Sequence, residues 1–285
     1  MLLGEYAVLD GAPALVAAVD RGVACVVTDA PGRQIVTPGD DRFVAAALAE
    51  IEAPPGRYAF SDWRPVPSDT KVGLGGSSAA TVAAVVAGLA RRGGRAPDPD
   101  HTYAIAREVH HRVQGSGSGV DVAASAYGGI CRVERGLVHP LSAPALPEPV
   151  VVFSGASAAT GPRVQRYLSH LPHRDRARFV DASRALVEAF PRAPAQTLDA
   201  AGRLLASMAE AAQIAYWTDA IDVLVTLARA HGGGAKPSGA GGGDIVVALF
   251  SSDRARSAYI EAVEDRGFLC VPISISPGAA LISAD

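Results

Sequence analysis

One stretch limits what this chain can become more than any other: residues 73–92, GLGGSSAATVAAVVAGLARR. Beyond its first turn the run is apolar throughout, and a helix without a polar face is stable only when buried. Serine at its start, Arg91 and Arg92 in its last turn, and Gly93-Gly94 beyond mark the two ends of that helix. A core must therefore form around it. Its entry is different, because the glycines allow backbone to approach an anion closely. A helix start also exposes unpaired N–H groups and the positive end of the dipole, which suits phosphate. The loop is no Walker A motif, since GxxxxGK[ST] is absent. Ser77 and Ser78 offer hydroxyls to a phosphate oxygen or to Mg²⁺. A flexible turn with a serine cap accounts for the same residues equally well.

With 285 residues the chain has room for one large domain or two ordinary ones. Its 49% hydrophobic and 19% charged residues describe a soluble globular protein. A net charge of -3 and a pI near 6.2 argue against a nucleic-acid surface. Cys25, Cys131 and Cys270 stand far apart in apolar surroundings and read as reduced core thiols. No run of about 18 apolar residues and no basic leader occur, so a cytoplasmic protein without a membrane partner is expected.

The hydrophobic patterning predicts two strands around a turn at residues 10–13, a helix in DDRFVAAALAEI, and a looped segment beside a strand over residues 53–69. A mixed helix, PDHTYAIAREVHHRVQ, precedes a strand in GICRVERG, and VVVFSG reads as a buried strand. Three prolines in residues 141–149 suggest a hinge. Beyond Pro162 the chain turns to long, Arg-studded helices over residues 162–193 and 197–231. DIVVALF, RARSAYIEAVEDRG and FLCVPISIS then read as strand, helix and strand.

Two further glycine turns carry chemistry. In QGSGSGVD, Asp121 follows the turn directly; it can accept a proton from an attacking hydroxyl or hold Mg²⁺. An Asx-turn aspartate is the more common reason for such a residue. The third turn is KPSGAGGGD, residues 236–244. Of 26 cationic Lys and Arg residues only two are lysine, and they open two of the glycine loops: Lys71 before GLGGSS and Lys236 before PSGAGGGD. Lysine is a compact point charge on a flexible stem, able to follow a phosphate. Three such loops together favour phosphoryl transfer.

At this point the chain resembles the GHMP kinases (galactokinase, homoserine kinase, mevalonate kinase and phosphomevalonate kinase). It carries their three motifs in order: GEYAVLDGAPALVAAVD at residues 4–20, KVGLGGSSAA at 71–80 and KPSGAGGGD at 236–244. Within the family it is most similar to the phosphomevalonate kinases, through GEYAVL, through HHRVQGSGSGVDVAASAYGG from His110, and through AKPSGAGGGD. The resemblance implies an α+β fold: an N-terminal domain like ribosomal protein S5 domain 2 (residues 1–155) and a C-terminal ferredoxin-like domain (residues 156–285). ATP would lie on Gly73, Leu74, Gly75, Gly76, Ser77, Ser78 and Ala79, with Ser77 or Ser78 near Mg²⁺. Asp121 would be the catalytic base or charge stabiliser, with Lys71 beside it. The acceptor, (R)-5-phosphomevalonate, would meet Glu5, Tyr6, His110, Ser118, Lys236, Ser238, Gly239, Ala240, Gly241 and Arg163, the two lysines facing donor and acceptor charge. A monomer or homodimer is expected.

The pattern departs from the family in two places. Relatives begin A-P-G-K-L-x-L-x-G-E-Y, and here the sequence starts inside that strand, so the first strand is expected to be truncated and its lysine lost. GLGGSS also replaces the commoner GLGSS. Tyr58 and Trp63 are candidates to flank adenine, or simply to pack. Mevalonate or another small alcohol as acceptor stays open, as does a non-catalytic member that binds nucleotide or metabolite.

Overall fold

The computed structural model describes residues 1–66, 72–115, 117–141, 147–156 and 160–282. A bridge between Leu3 and Leu15 stands where the first strand was expected, followed by a 3-10 turn at Ala7–Asp10 and then β1 (Ala14–Ala17). Next come β2 (Gly22–Thr28), β3 (Arg33–Val36), α1 (Arg42–Glu50) and β4 (Gly56–Trp63). The first half closes with α2 (Gly76–Gly93), α3 (Pro99–Gln114), α4 (Val120–Tyr127), β5 (Ile130–Glu134) and β6 (Leu137–Leu141).

These strands form two sheets. In one, β1 and β6 flank β5, all antiparallel; in the other, β4 pairs antiparallel with β2 and parallel with β3. The apolar α2 lies where its composition demands. Val82, Ala84, Val85 and Val86 are buried with Tyr58 and Phe60 of β4, Val109 of α3 and Val122 of α4. Each fully buried valine contributes about 1.5–3 kcal/mol before conformational entropy is counted.

Two expectations for this half need correcting. Residues 7–10 form a 3-10 turn rather than a strand: Gly11 closes it in a left-handed conformation and sends its N–H back to Val8 O. No serine caps α2 either; Gly75 holds the cap position with φ of 77°. Tyr58 is fully buried, its hydroxyl donating to Pro54 O, which withdraws it from any ligand, whereas Trp63 ends β4 exposed.

The second half contains β7 (Val150–Phe153), α5 (Thr160–His170), α6 (His173–Ala189), α7 (Pro194–Ala211), α8 (Asp219–Ala230), β8 (Gly234–Pro237), β9 (Ile245–Leu249), α9 (Asp253–Glu264) and β10 (Leu269–Val271). Its antiparallel sheet runs β10-β7-β9-β8. The two long helices expected here are four. Pro172, which lacks an N–H and takes an extended ψ of 143°, separates α5 from α6. Residues 212–218 separate α7 from α8, whose start is capped by Thr218 Oγ1 accepting from Ile221 N at 3.3 Å. The first residues of the third glycine segment are strand as well, with Lys236 opposite Val247.

The chain's two ends cross between the halves. Leu2 and Leu3 pack with Leu15 and Ile130 against Val187, Phe190 and Leu198 of the second half. In the other direction, residues 274–279 return to the first half. Ser276 N donates to Ala18 O (3.1 Å), Gly129 N to Ser276 O (2.8 Å) and Ala279 N to Ser125 O on α4 (2.9 Å). All three cysteines are free; burial pushes the Cys131 and Cys270 thiols up to about 11, in keeping with inert core positions.

Candidate active site

The starts of α2 and α4 converge on one spot. A β-carbon on Gly75 would lie in ordinary contact with Asp121, 3.6 Å from its Cβ, which sets the turn before α2 directly against that residue. Asp121 is the second residue of α4, exposed, in the first turn where the dipole favours a negative charge. Ser118 is half-buried in the turn before it.

Beneath the first loop lies α3. His110 is buried on it, with Phe43 of α1 stacked on the imidazole at 5.0 Å. Its Nε2 is 3.1 Å from Ser77 Oγ and 3.3 Å from Ser78 Oγ. Burial lowers the His110 pKa; the Asp121 carboxylate works against that shift and His111 adds to it. The structure thus brings His110 to the serines of the first glycine loop. Ser78 is turned inward and Ser77 is half-exposed, so Ser77 is the hydroxyl nearer to solvent. Gly73 joins this loop to the third one: with φ of 74°, a β-carbon there would sit 2.8 Å from Cβ and Cγ of Asp244.

The third loop is held from several sides. Lys236 is fully buried; its ammonium pairs with Glu5 Oε1 and donates to Pro237 O at 2.9 Å. Desolvation lowers the Lys236 pKa, and Glu5 opposes the shift. A lysine buried in this way does not face a phosphate, which corrects the expectation for Lys236. The physical reason is its place in β8: the strand carries the side chain into the interior, where Glu5 meets it. Glu5, itself 3% exposed, likewise faces the lysine and not a ligand.

The other expected residues of this loop gather nearby. Ser238 Oγ donates to Met1 O at 3.0 Å, Gly239 N reaches Glu5 Oε1 at 3.4 Å, and Tyr6 donates its hydroxyl to Ala240 O at 2.7 Å. Tyr6 adopts a left-handed φ of 60°, a strained conformation for a bulky residue. Burial raises its phenol pKa, Arg163 opposing and Glu5 adding to the shift. Gly241 lies on the Tyr216 ring, and Gly242 leaves room for the Arg163 guanidinium, whose Nε donates to Ala215 O at 3.4 Å. Lys71 lies outside the described residues.

Two contributors were not singled out in the sequence. Asp244 closes the motif KPSGAGGGD, and that position was its signal. Tyr216 was absorbed into an expected long helix, and only the helix break at residues 212–218 gives it a role.

Two helix starts, an exposed carboxylate, hydroxyls and an arginine beside a glycine loop form a setting for anionic phosphates, and the fold that carries them is that of a two-part kinase. The GHMP kinases N terminal domain matches residues 45–129 and the GHMP kinases C terminal domain matches residues 186–267. The chain is 30% identical over 353 aligned residues to the phosphomevalonate kinase of Streptomyces sp. (strain CL190), covering 95% of this chain and 93% of that protein. It is 34% identical over 144 residues to the mevalonate kinase of Methanothermobacter thermautotrophicus, covering 46% of each. It superimposes on Streptococcus pneumoniae phosphomevalonate kinase in complex with phosphomevalonate and AMPPNP with a TM-score of 0.78 at 17% identity, over 96% of this chain and 97% of that one. The chain belongs to the GHMP kinase family, whose members are phosphotransferases using ATP, and it has the family's N- and C-terminal domains.

Proposed function

We propose that the protein phosphorylates (R)-5-phosphomevalonate to 5-diphosphomevalonate with ATP in the mevalonate route to isoprenoids. The observation that carries the reading is the meeting of Asp121, the Gly75 turn and a glycine loop bordered by Arg163, in a chain matching a phosphomevalonate kinase along nearly its full length. ATP lies along Gly73–Ala79 with its phosphates at the start of α2. An acceptor phosphate oxygen attacks the γ-phosphorus, the bond to the β-phosphate oxygen breaks, and ADP leaves. Asp121 takes up or balances the proton at the acceptor, and Arg163 binds the acceptor phosphate as a fork.

A Mg²⁺ ion suits the donor set. Its protein share is one or two hard oxygens, with phosphates supplying the rest, and Ser77 Oγ and the Asp121 carboxylate are such oxygens. Among the described residues no group of three or more His, Cys, Asp or Glu is arranged to cage a metal. When bound, the ion offsets charge building on the transferred group. The divide between an ATP-binding first domain and a second domain is part of the proposal; the pairing of β7 with β9 and β10 favours setting it before Val150 rather than at residue 155. Cytoplasmic location is proposed too, and no described helix is long and apolar enough to cross a membrane.

Mevalonate as acceptor is the second reading, favoured by the likeness to a mevalonate kinase over part of the chain. ADP release with Mg-ATP and either mevalonate or 5-phosphomevalonate separates the two. Turnover with 5-phosphomevalonate alone is expected; turnover with mevalonate alone overturns the proposal, and silence with both returns the chain to a binding role. Asp121→Asn should lower kcat by about 10²–10⁴ while stability changes by no more than about 1 kcal/mol, since the carboxylate is exposed and loses only its interaction with the α4 dipole.

A further inference from the structure

The sequence sets its second lysine beside a glycine loop, and the fold then seals that lysine away from every ligand. Lys236 has no exposed surface, Glu5 almost none, and they lie 231 residues apart in sequence. Such a pair is a weak source of stability, because the cost of desolvating two charges offsets most of their attraction. Its geometry indicates another use. Glu5 Oε1 accepts from the Lys236 ammonium and from Gly239 N, the first amide of the glycine turn, while Glu5 Oε2 has no hydrogen-bond partner in the described residues. Glu5 is presented by an elbow with two left-handed residues, Gly4 at φ 96° and Tyr6 at φ 60°. Tyr6 then holds the next residue of the turn through Ala240 O. The elbow and the turn are thus joined at consecutive residues, Glu5 to Gly239 and Tyr6 to Ala240.

We propose that Lys236 and Glu5 are positioning residues for the phosphorylated acceptor: the ion pair locks the Gly4–Tyr6 elbow onto the turn at residues 239–243 and so fixes the turn and the Arg163 beside it that receive the acceptor phosphate, without touching it. Lys236 has a second task. It cancels the Glu5 carboxylate, which would otherwise place a bare negative charge under a site that must admit an anion. The inference rests on the functional reading above for the identity of the acceptor, and on the geometry alone for the fixing of the loop.

The test is the double variant Glu5→Gln/Lys236→Met, which removes the pair without stranding a buried charge. Steady-state kinetics should show the acceptor KM raised about ten-fold or more, with kcat within about three-fold and the ATP KM unchanged. Amide exchange in the peptide spanning residues 238–244 should also quicken. An unchanged acceptor KM in a folded double variant overturns the proposal, as does a rise confined to the ATP KM. Should the double variant not fold, Tyr6→Phe cuts the neighbouring tether without altering charge. It should raise the acceptor KM by a smaller factor and quicken the same exchange, and no change in either overturns the idea. If wild-type protein turns over neither acceptor, the functional reading fails. Amide exchange then judges the loop-fixing claim by itself, and unaltered exchange overturns it.

Discussion

The first and third glycine loops are near-twins in sequence and opposites in structure. Each follows a lysine, each is built mainly of small residues, and each invites the same reading as a mobile phosphate cradle. The first opens α2, keeps Gly73 and Gly76 exposed, and rests on a neutral surface made by His110 and Phe43. The third leaves a strand and is fastened by Met1, Glu5, Tyr6 and Tyr216 on successive residues. The difference follows from the neighbouring element. A helix start has free N–H groups to offer, whereas a strand hands its side chains to the interior and must satisfy the loop by other means. On the proposed reading the two loops would bind in different ways: the first supplies a dipole and hydroxyls, the third a tethered wall with an arginine at its rim.

The largest expected effect separates them by stability. Lys236→Met leaves Glu5 buried and unpaired, and the protein should lose about 3–5 kcal/mol, read from urea unfolding. Ser77→Ala in the first loop removes a half-exposed hydroxyl whose neighbour, His110 Nε2, keeps Ser78 Oγ, and the same measurement should move by about 1 kcal/mol or less. Equal losses would erase the contrast.

Gly73→Ala probes the one place where the loops meet. Its φ of 74° and the 2.8 Å approach to Asp244 should together cost about 1–3 kcal/mol. Because Asp244 ends the third loop, the KM for both ATP and the acceptor should rise. A rise for ATP alone would show that the loops act separately.

The smallest effect concerns pH. Burial holds the folded His110 pKa below its ordinary 6.5, so near that pH the unfolded chain binds a proton that the folded chain refuses. Stability of the nucleotide-free protein should therefore fall as the pH drops through 6.5 toward the folded pKa, and level off below it. His110→Gln should flatten this part of the profile relative to wild type. A matching profile in the variant would mean that the imidazole ring titrates as if exposed.

Much of the fold was legible in the sequence for local reasons. The apolar run of α2, the mixed pattern of α3, and the all-apolar β9 each declare themselves over short stretches of chain. The order of three glycine motifs also marked Asp121 and the α2 start. Side-chain direction was not legible. Whether Lys236 points to solvent or to the interior depends on the pairing of β8 with β9, and the presence of Glu5 beneath it depends on a contact 231 residues away. His110 illustrates the same limit: its helix was evident, yet its partners are two hydroxyls reached across α2, more than 30 residues before it in sequence. The breaks at Pro172 and residues 212–218 were missed because composition alone continued through them.

The crossing of the two chain ends has a consequence for how the molecule comes apart. The N-terminal segment is packed into the second half, and residues 274–279 are bonded into the first, reaching α4 four residues from Asp121 at Ser125. Each half is therefore completed by a piece of chain belonging to the other. A protease that cuts the single connection between β6 and β7 would not release two domains; it would leave a nicked but assembled protein, and fragments made separately would each expose the groove its missing end should fill.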